Sequence, residues 1–204
     1  MREAADHTPA AFRRARAGLA GLLLALLAAG QGLAAETGPA FGRLAAPAPQ
    51  RPLLEEIRLG LYAHDPVSPE KGAADVNGEL VLAPFDPSSG PLGRLTPRLH
   101  VGGTWSFGAR TSLAYAGFLW RLHLNEGVFL EAAFGGAVHN GRDAQTPGRN
   151  AMGCRGAFHE SLSLGYRFAP QWRVMATIEH ASNAGLCDSN RGVTNAGLRI
   201  GYAF

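Results

Sequence analysis

The chain is 204 residues long, 46% hydrophobic and only 17% charged, with 27 glycines. Charge this sparse and apolar content this high exclude a disordered chain or a coiled coil, and the length fits one domain, at most two. A formal charge of +3 and a pI near 9.2 raise nucleic-acid binding as a question, which turns on where the basic residues lie.

At the N-terminus Arg13, Arg14 and Arg16 precede an apolar run from Ala17 to Gly30, followed by the small residues Gly32, Ala34 and Ala35. This is the order of a secretory signal peptide, here residues 1–35, with cleavage near Ala35. A membrane anchor is the alternative, but the run is shorter than the ~20 residues that a spanning helix needs. Cleavage removes Arg2, Arg13, Arg14 and Arg16 together with Glu3 and Asp6, leaving 15 basic and 14 acidic residues. The net charge becomes +1, and the argument for nucleic acid goes with the segment. Residues 36–52, rich in Pro, Ala and Gly, read as a flexible lead-in. No later stretch holds 18 continuous apolar residues, so a membrane fate for residues 53–204 would be a β-barrel.

Period-two alternation predicts strands at 55–64, 74–83, 97–107, 111–123, 127–138, 157–168, 171–182 and 194–204. Each is near the ~9–11 residues that cross a bilayer at a tilt. In 157–168 the even positions are Phe158, Glu160, Leu162, Leu164, Tyr166 and Phe168, against His159, Ser161, Ser163, Gly165 and Arg167. In 171–182 Trp172, Val174, Ala176 and Ile178 share a face. The last strand sets Ala196, Leu198, Ile200, Tyr202 and Phe204 against Gly197, Arg199 and Gly201.

The same alternation fits a soluble β-sandwich with its apolar face turned to a core. Three features favour an eight-stranded antiparallel transmembrane β-barrel of the bacterial outer membrane. The chain begins with an export signal. It closes on an aromatic after alternating apolar residues, which resembles the assembly signal of outer-membrane barrels. Tyr166, Phe168, Trp172, Tyr202 and Phe204 gather at one strand end, as an interfacial girdle does. With the N-terminus periplasmic, 124–126 and 169–171 become short periplasmic turns, and 84–96 an unusually long one. Residues 65–73, 108–110, 139–156 and 183–193 become outside loops. Arg58, Glu79, Arg98, Glu131, Arg173 and Arg199 are expected to face the lumen and fill it.

Cys154 and Cys187 fall in the third and fourth outside loops, so an exported chain pairs them in one disulfide; two free thiols are the alternative. No Gly-rich phosphate loop, Cys quartet or His-Glu-x-x-His element is present, and neither metal nor cofactor is called for.

The informative stretch is Ile178-Glu179-His180-Ala181-Ser182-Asn183. His180 and Ser182 share a strand face with Cα atoms roughly 6.6 Å apart. Their parity is that of the lipid-facing residues, which points to a lipid substrate. A neutral His can activate a Ser as nucleophile, although rim residues of barrels are often polar and His-x-Ser alone is a weak pattern.

His180-Ala181-Ser182-Asn183-Ala184-Gly185, then Asn190-Arg191-Gly192, then a last strand ending at Phe204, resemble the PagL lipid A 3-O-deacylase family. The resemblance is specific over 157–204 and diffuse over 53–156. It implies an outer-membrane esterase that removes the acyl chain at the 3-position of lipid A without a metal. It maps the catalytic His and Ser to His180 and Ser182, an oxyanion contributor to Asn190, and the Asn after the Ser to Asn183. The family's acidic residue, twelve after the Ser, is here Thr194, followed by Asn195.

Counting back across the 169–171 turn puts Glu160 opposite His180, and directly opposed residues have Cβ atoms ~4.5–5.5 Å apart. Glu160 is therefore the candidate acid that orients His180, with a rim carboxylate in water as the plain alternative. Loop arginines Arg142, Arg149, Arg155 and Arg191 are candidate phosphate contacts, or simply solvated. The leading expectation is a deacylase acting on lipopolysaccharide in the outer leaflet, with homodimerisation left open. Behind it stand a weak or inactive barrel of the same fold with a structural or surface-interaction role, and an unrelated small surface barrel.

Overall fold

The structure, a computed structural model, describes residues 52–85, 93 and 95–204. The expected signal peptide and lead-in lie outside the described residues, apart from Pro52. Eight antiparallel strands follow in order: β1 (Leu54–His64), β2 (Ala73–Leu82), β3 (Arg98–Ser106), β4 (Leu113–His123), β5 (Val128–His139), β6 (Gly156–Arg167), β7 (Trp172–Ser182) and β8 (Val193–Ala203). Each pairs with its sequence neighbours, and β8 returns to β1 to close the barrel.

Every expected strand is present, with ends moved by no more than two residues. The displacements have local causes. Pro97 has no N–H to give a ladder, so β3 starts at Arg98. Thr111 and Ser112 stay out of β4 because side chains occupy their backbone: Thr111 N–H donates to Glu70 Oε2 at 2.8 Å, and Ser112 N–H donates to Asn140 Oδ1 at 2.7 Å.

The two strand faces separate as the alternation requires. Leu61, Leu162, Leu164, Ile178, Leu198 and Ile200 are exposed on the outside, while the lumen holds buried charges. An apolar exterior of this extent fits lipid, and strands of this length fit a bilayer's hydrocarbon. At the end where β1 begins and β8 finishes, Trp172 meets Tyr202 with ring centroids 5.0 Å apart, and Tyr202 meets Phe204 at 5.3 Å, forming part of an aromatic girdle. Trp105 and Phe107 stand exposed toward the opposite end. No helix among the described residues is long and apolar enough to cross a membrane; crossing falls to the strands.

The lumen is stable because its charges are matched. Arg58, fully buried, donates to Glu56 at 2.9 Å and to Glu79 and Glu131 at 2.8 Å each. Arg121 bridges Glu131, Glu56 and Glu55, and Arg199 pairs with Glu79. Unpaired, any of these would be costly to bury. A second chain of bonds runs along the axis from Glu79 through Tyr115, Asn77 and Thr104 to Glu179 and Asn195. Arg98 and Arg173, expected in the same network, sit at its edge and pair with Glu55 and Glu56. The lumen also needs close approaches at glycine: the Phe129 ring rests on Gly165, where a Cβ would come within 2.1 Å of it.

Four connections, 65–72, 107–112, 140–155 and 183–192, lie together at the opposite end of the barrel; they are loops 1 to 4. Loops 3 and 4 are joined by the disulfide Cys154–Cys187, Cα–Cα 6.1 Å.

Candidate active site

His180 and Ser182 occupy the last turn of the pleat on β7, on its outward face and just below loop 4. Both are half-buried, in contrast to the exposed Ile178 below them. The register places His180 between two neighbours. Glu160 of β6 is its partner on one side and Thr194 of β8 on the other. Ser182 has Phe158 as its partner on β6.

The imidazole is held from the β8 side. His180 Nδ1 and Thr194 Oγ1 are 2.8 Å apart. Glu160 is exposed, and among the described residues its side chain makes no hydrogen bond. The opposite edge of the ring rests on Gly192: a Cβ there would come within 2.8 Å of His180 Cε1 and 3.2 Å of Nε2. Gly192 has φ +70°, a conformation that side chains make costly. The residue is thus required by the backbone and by the ring that lies on it.

Asn183 and Asn190 turn out to have different tasks. Asn183 is buried, and its Nδ2 donates to Met152 O at 2.7 Å and Ser189 O at 2.6 Å, while Oδ1 accepts from Gly185 N–H. Its backbone N–H donates to Asn190 Oδ1 at 2.9 Å. All its donors are committed to holding loops 3 and 4 together. Asn190 is exposed, and its Oδ1 is occupied by that bond. Between them Asn183–Leu186 form a turn closed by Leu186 N–H to Asn183 O, with positive φ at Ala184 and Gly185, as in a type I′ turn.

Behind His180 the loops are tied by buried polar groups. Asp65 of loop 1 accepts from Thr194 N–H at 3.2 Å and from Asn150 Nδ2, and Asn150 Nδ2 also donates to Gly192 O at 2.8 Å. Glu70 gathers His64, Arg149, Thr111 and the Asn150 N–H. Burial pushes its carboxyl up, but these donors outweigh that and hold it well below the ordinary carboxylate range. Arg149 is thereby committed to Glu70, and Arg155 to Asp143 and Gly141 O. Arg142 and Arg191 stay exposed. Glu179, adjacent to His180 in sequence, faces the lumen and is buried, as its parity requires.

Beside Ser182, on the barrel's outer wall, lies an apolar groove of about 400 Å³ lined by Phe134, Gly136, Phe158, Leu186 and the disulfide. A larger hollow of about 670 Å³ opens at the far end among Glu55, Arg98, Arg121, His123 and Arg167, remote from the His-Ser pair. Among the described residues no group of three or more His, Cys, Asp or Glu side chains is placed to hold a metal ion. Sequence reasoning missed Gly192, Asp65, the groove and the contact from Thr194. Only Gly192 carried a signal there, as the Gly of Asn-x-Gly.

The family model for PagL, lipid A 3-O-deacylase, matches residues 86–203, more than half of the chain. The chain belongs to that family. PagL is also represented among solved folds: the crystal structure of the outer membrane enzyme PagL aligns at TM-score 0.59 and 21% identity, covering 73% of this chain and 99% of that one. At that identity the likeness speaks for the fold, an outer-membrane β-barrel. The N-terminal β-barrel domain of Pseudomonas aeruginosa OprF and a de novo designed transmembrane β-barrel each align at TM-score 0.48 and 13% identity. They cover 74% and 76% of this chain and 98% of their own. No curated protein matches the chain.

Proposed function

We propose that this protein removes the 3-linked acyl chain of lipid A at the lipid-facing rim of the barrel, in the outer membrane after cleavage of its signal peptide. The observation that carries the reading is the His180–Ser182 pair on the outward face, with the imidazole held at Nδ1 and its other edge bare against Gly192. Family membership supplies the substrate class.

In this reading His180 Nε2 takes the proton of Ser182 Oγ as the oxygen attacks the ester carbonyl. The tetrahedral oxyanion accepts from Asn190 Nδ2 and neighbouring backbone N–H groups. Asn183 contributes by fixing Asn190 rather than by touching the oxyanion. Collapse expels the sugar hydroxyl, protonated by His180, and leaves an acyl-Ser182 ester. Water, activated by His180, then releases the fatty acid. Glu160, in register with His180, faces the imidazolium as a through-space negative charge. The acyl chain lies along the groove that Phe134 and Phe158 line, and Arg191, exposed beside Asn190, meets a lipid A phosphate. All these residues come from one chain, so the site needs no second copy.

The test is mass spectrometry of lipid A from cells expressing wild type or Ser182→Ala. Loss of one 3-linked chain with wild type alone supports the reading. Unchanged lipid A in both favours the second reading, a barrel of this family whose site has decayed, for which Thr194 at the acid position speaks. Full activity in Glu160→Gln would remove Glu160 from the mechanism without touching the rest.

A further inference from the structure

Resting on the deacylase reading, we propose that Thr194 is the positioning residue of the site, fixing His180 through its hydroxyl, and that the buried Asp65 carboxylate locks Thr194 from behind.

Thr194 is the strand partner of His180, and its Oγ1 lies 2.8 Å from Nδ1. A Thr hydroxyl both accepts and donates, and accepting from Nδ1–H leaves the lone pair on Nε2, the nitrogen that a base toward Ser182 has to present. The β-branched side chain restricts χ1 on a strand, so the hydroxyl is held where the ring meets it. The backbone is equally fixed. Thr194 N–H donates to Asp65 Oδ1 at 3.2 Å, and Asp65 N–H donates to the side chain of Asn195 at 3.2 Å. Asp65 is itself buried, with φ +38°, a left-handed conformation that Asp tolerates better than most residues. Asn150 joins Asp65 to the carbonyl of Gly192, so the two residues that touch the imidazole, Thr194 and Gly192, hang from one buried cluster. An arrangement with so many members is more than a hydroxyl left where a carboxylate was lost.

The experiment uses the full mature barrel refolded in detergent, with lipid A in mixed micelles, and compares wild type, Thr194→Val, Thr194→Ser and Ser182→Ala. Val keeps the shape and removes the hydrogen bond; Ser keeps the bond. The expected result is a kcat lowered roughly tenfold or more in Thr194→Val at unchanged KM, with Thr194→Ser near wild type, the scale of one hydrogen bond at a catalytic His. Independently of turnover, ¹⁵N resonances of His180 should report a single Nδ1–H tautomer in wild type and Thr194→Ser, and a mixed population in Thr194→Val. Asp65→Asn, which keeps an acceptor, should retain the tautomer, and Asp65→Ala should lose it. Wild-type kcat and tautomer in Thr194→Val overturn the inference while leaving the deacylase reading standing. A wild type with no Ser182-dependent hydrolysis defeats that reading, and the tautomer measurement still decides the role of Thr194.

Discussion

Gly192→Ala tests whether the position of the imidazole, and not merely its presence, sets the rate. The added Cβ would stand 2.8 Å from His180 Cε1, 3.2 Å from Nε2 and 3.0 Å from the carbonyl of Ala181. The carbonyl belongs to the β7 backbone and cannot retreat, so the ring has to. Restoring an ordinary contact of 3.4 Å moves the ring edge that carries Cε1 and Nε2 by about 0.6 Å. A misplacement of ~1 Å can cost about a hundredfold in rate, so a loss between tenfold and a hundredfold in kcat is expected. The left-handed φ adds about 1–2 kcal/mol of backbone cost, small enough for the barrel still to fold. The assay is release of the 3-linked acyl chain from lipid A in micelles, with folding followed by heat-modifiable gel mobility. A folded Gly192→Ala that turns over at the wild-type rate would refute the reasoning.

Three further outcomes are expected. Replacing Cys154 and Cys187 by Ser opens a loop of 33 residues; a chain-entropy cost of about 3–4 kcal/mol should lower the thermal midpoint while the barrel still closes, because Asn183 and Arg191 also tie loop 4 to loop 3. Gly136→Leu should fold, since the space over Gly136 is open to 4.0 Å, yet fill the groove beside Ser182 and raise KM for long acyl chains with little change in Ser182 reactivity. Glu70, whose carboxyl is held below its ordinary 4.5 by His64, Arg149 and two backbone donors, contributes stability that is complete above about pH 4.5 and lost as pH falls toward its folded value; the stability gap between wild type and Glu70→Gln, measured by denaturant titration, should therefore narrow below pH 4.5, and a gap that widens in acid would contradict the assignment.

The strands were legible because each has one face in lipid and one in the lumen, so a period of two survives along its whole length. Register was legible where the connection is short. Counting across 169–171 put Glu160 opposite His180, and that pairing is present. It was not legible across 183–192, where ten residues leave the offset of β8 free; hence Thr194 was read only as a missing acid, and its contact with Nδ1 could not be foreseen. Asn183 was read as a site residue from its place after Ser182, whereas its donors go to Met152 and Ser189, partners that only the folding of loop 3 onto loop 4 supplies. Asp65 lies 129 residues from Thr194, and nothing local marks a carboxylate that acts at the barrel's seam.

That seam carries a consequence of its own. β8 is the last strand of the chain, and it has to join β7 on one side and β1 on the other. Until it does, His180 has no Thr194 beside it, and Asp65, at the end of β1, has no Thr194 to hold. On the proposed reading, a chain whose β8 is still unpaired therefore carries its candidate nucleophile, Ser182, and base, His180, unassembled. In the proposed deacylase reading the activity is thus latent by topology, and closure of the barrel arms it.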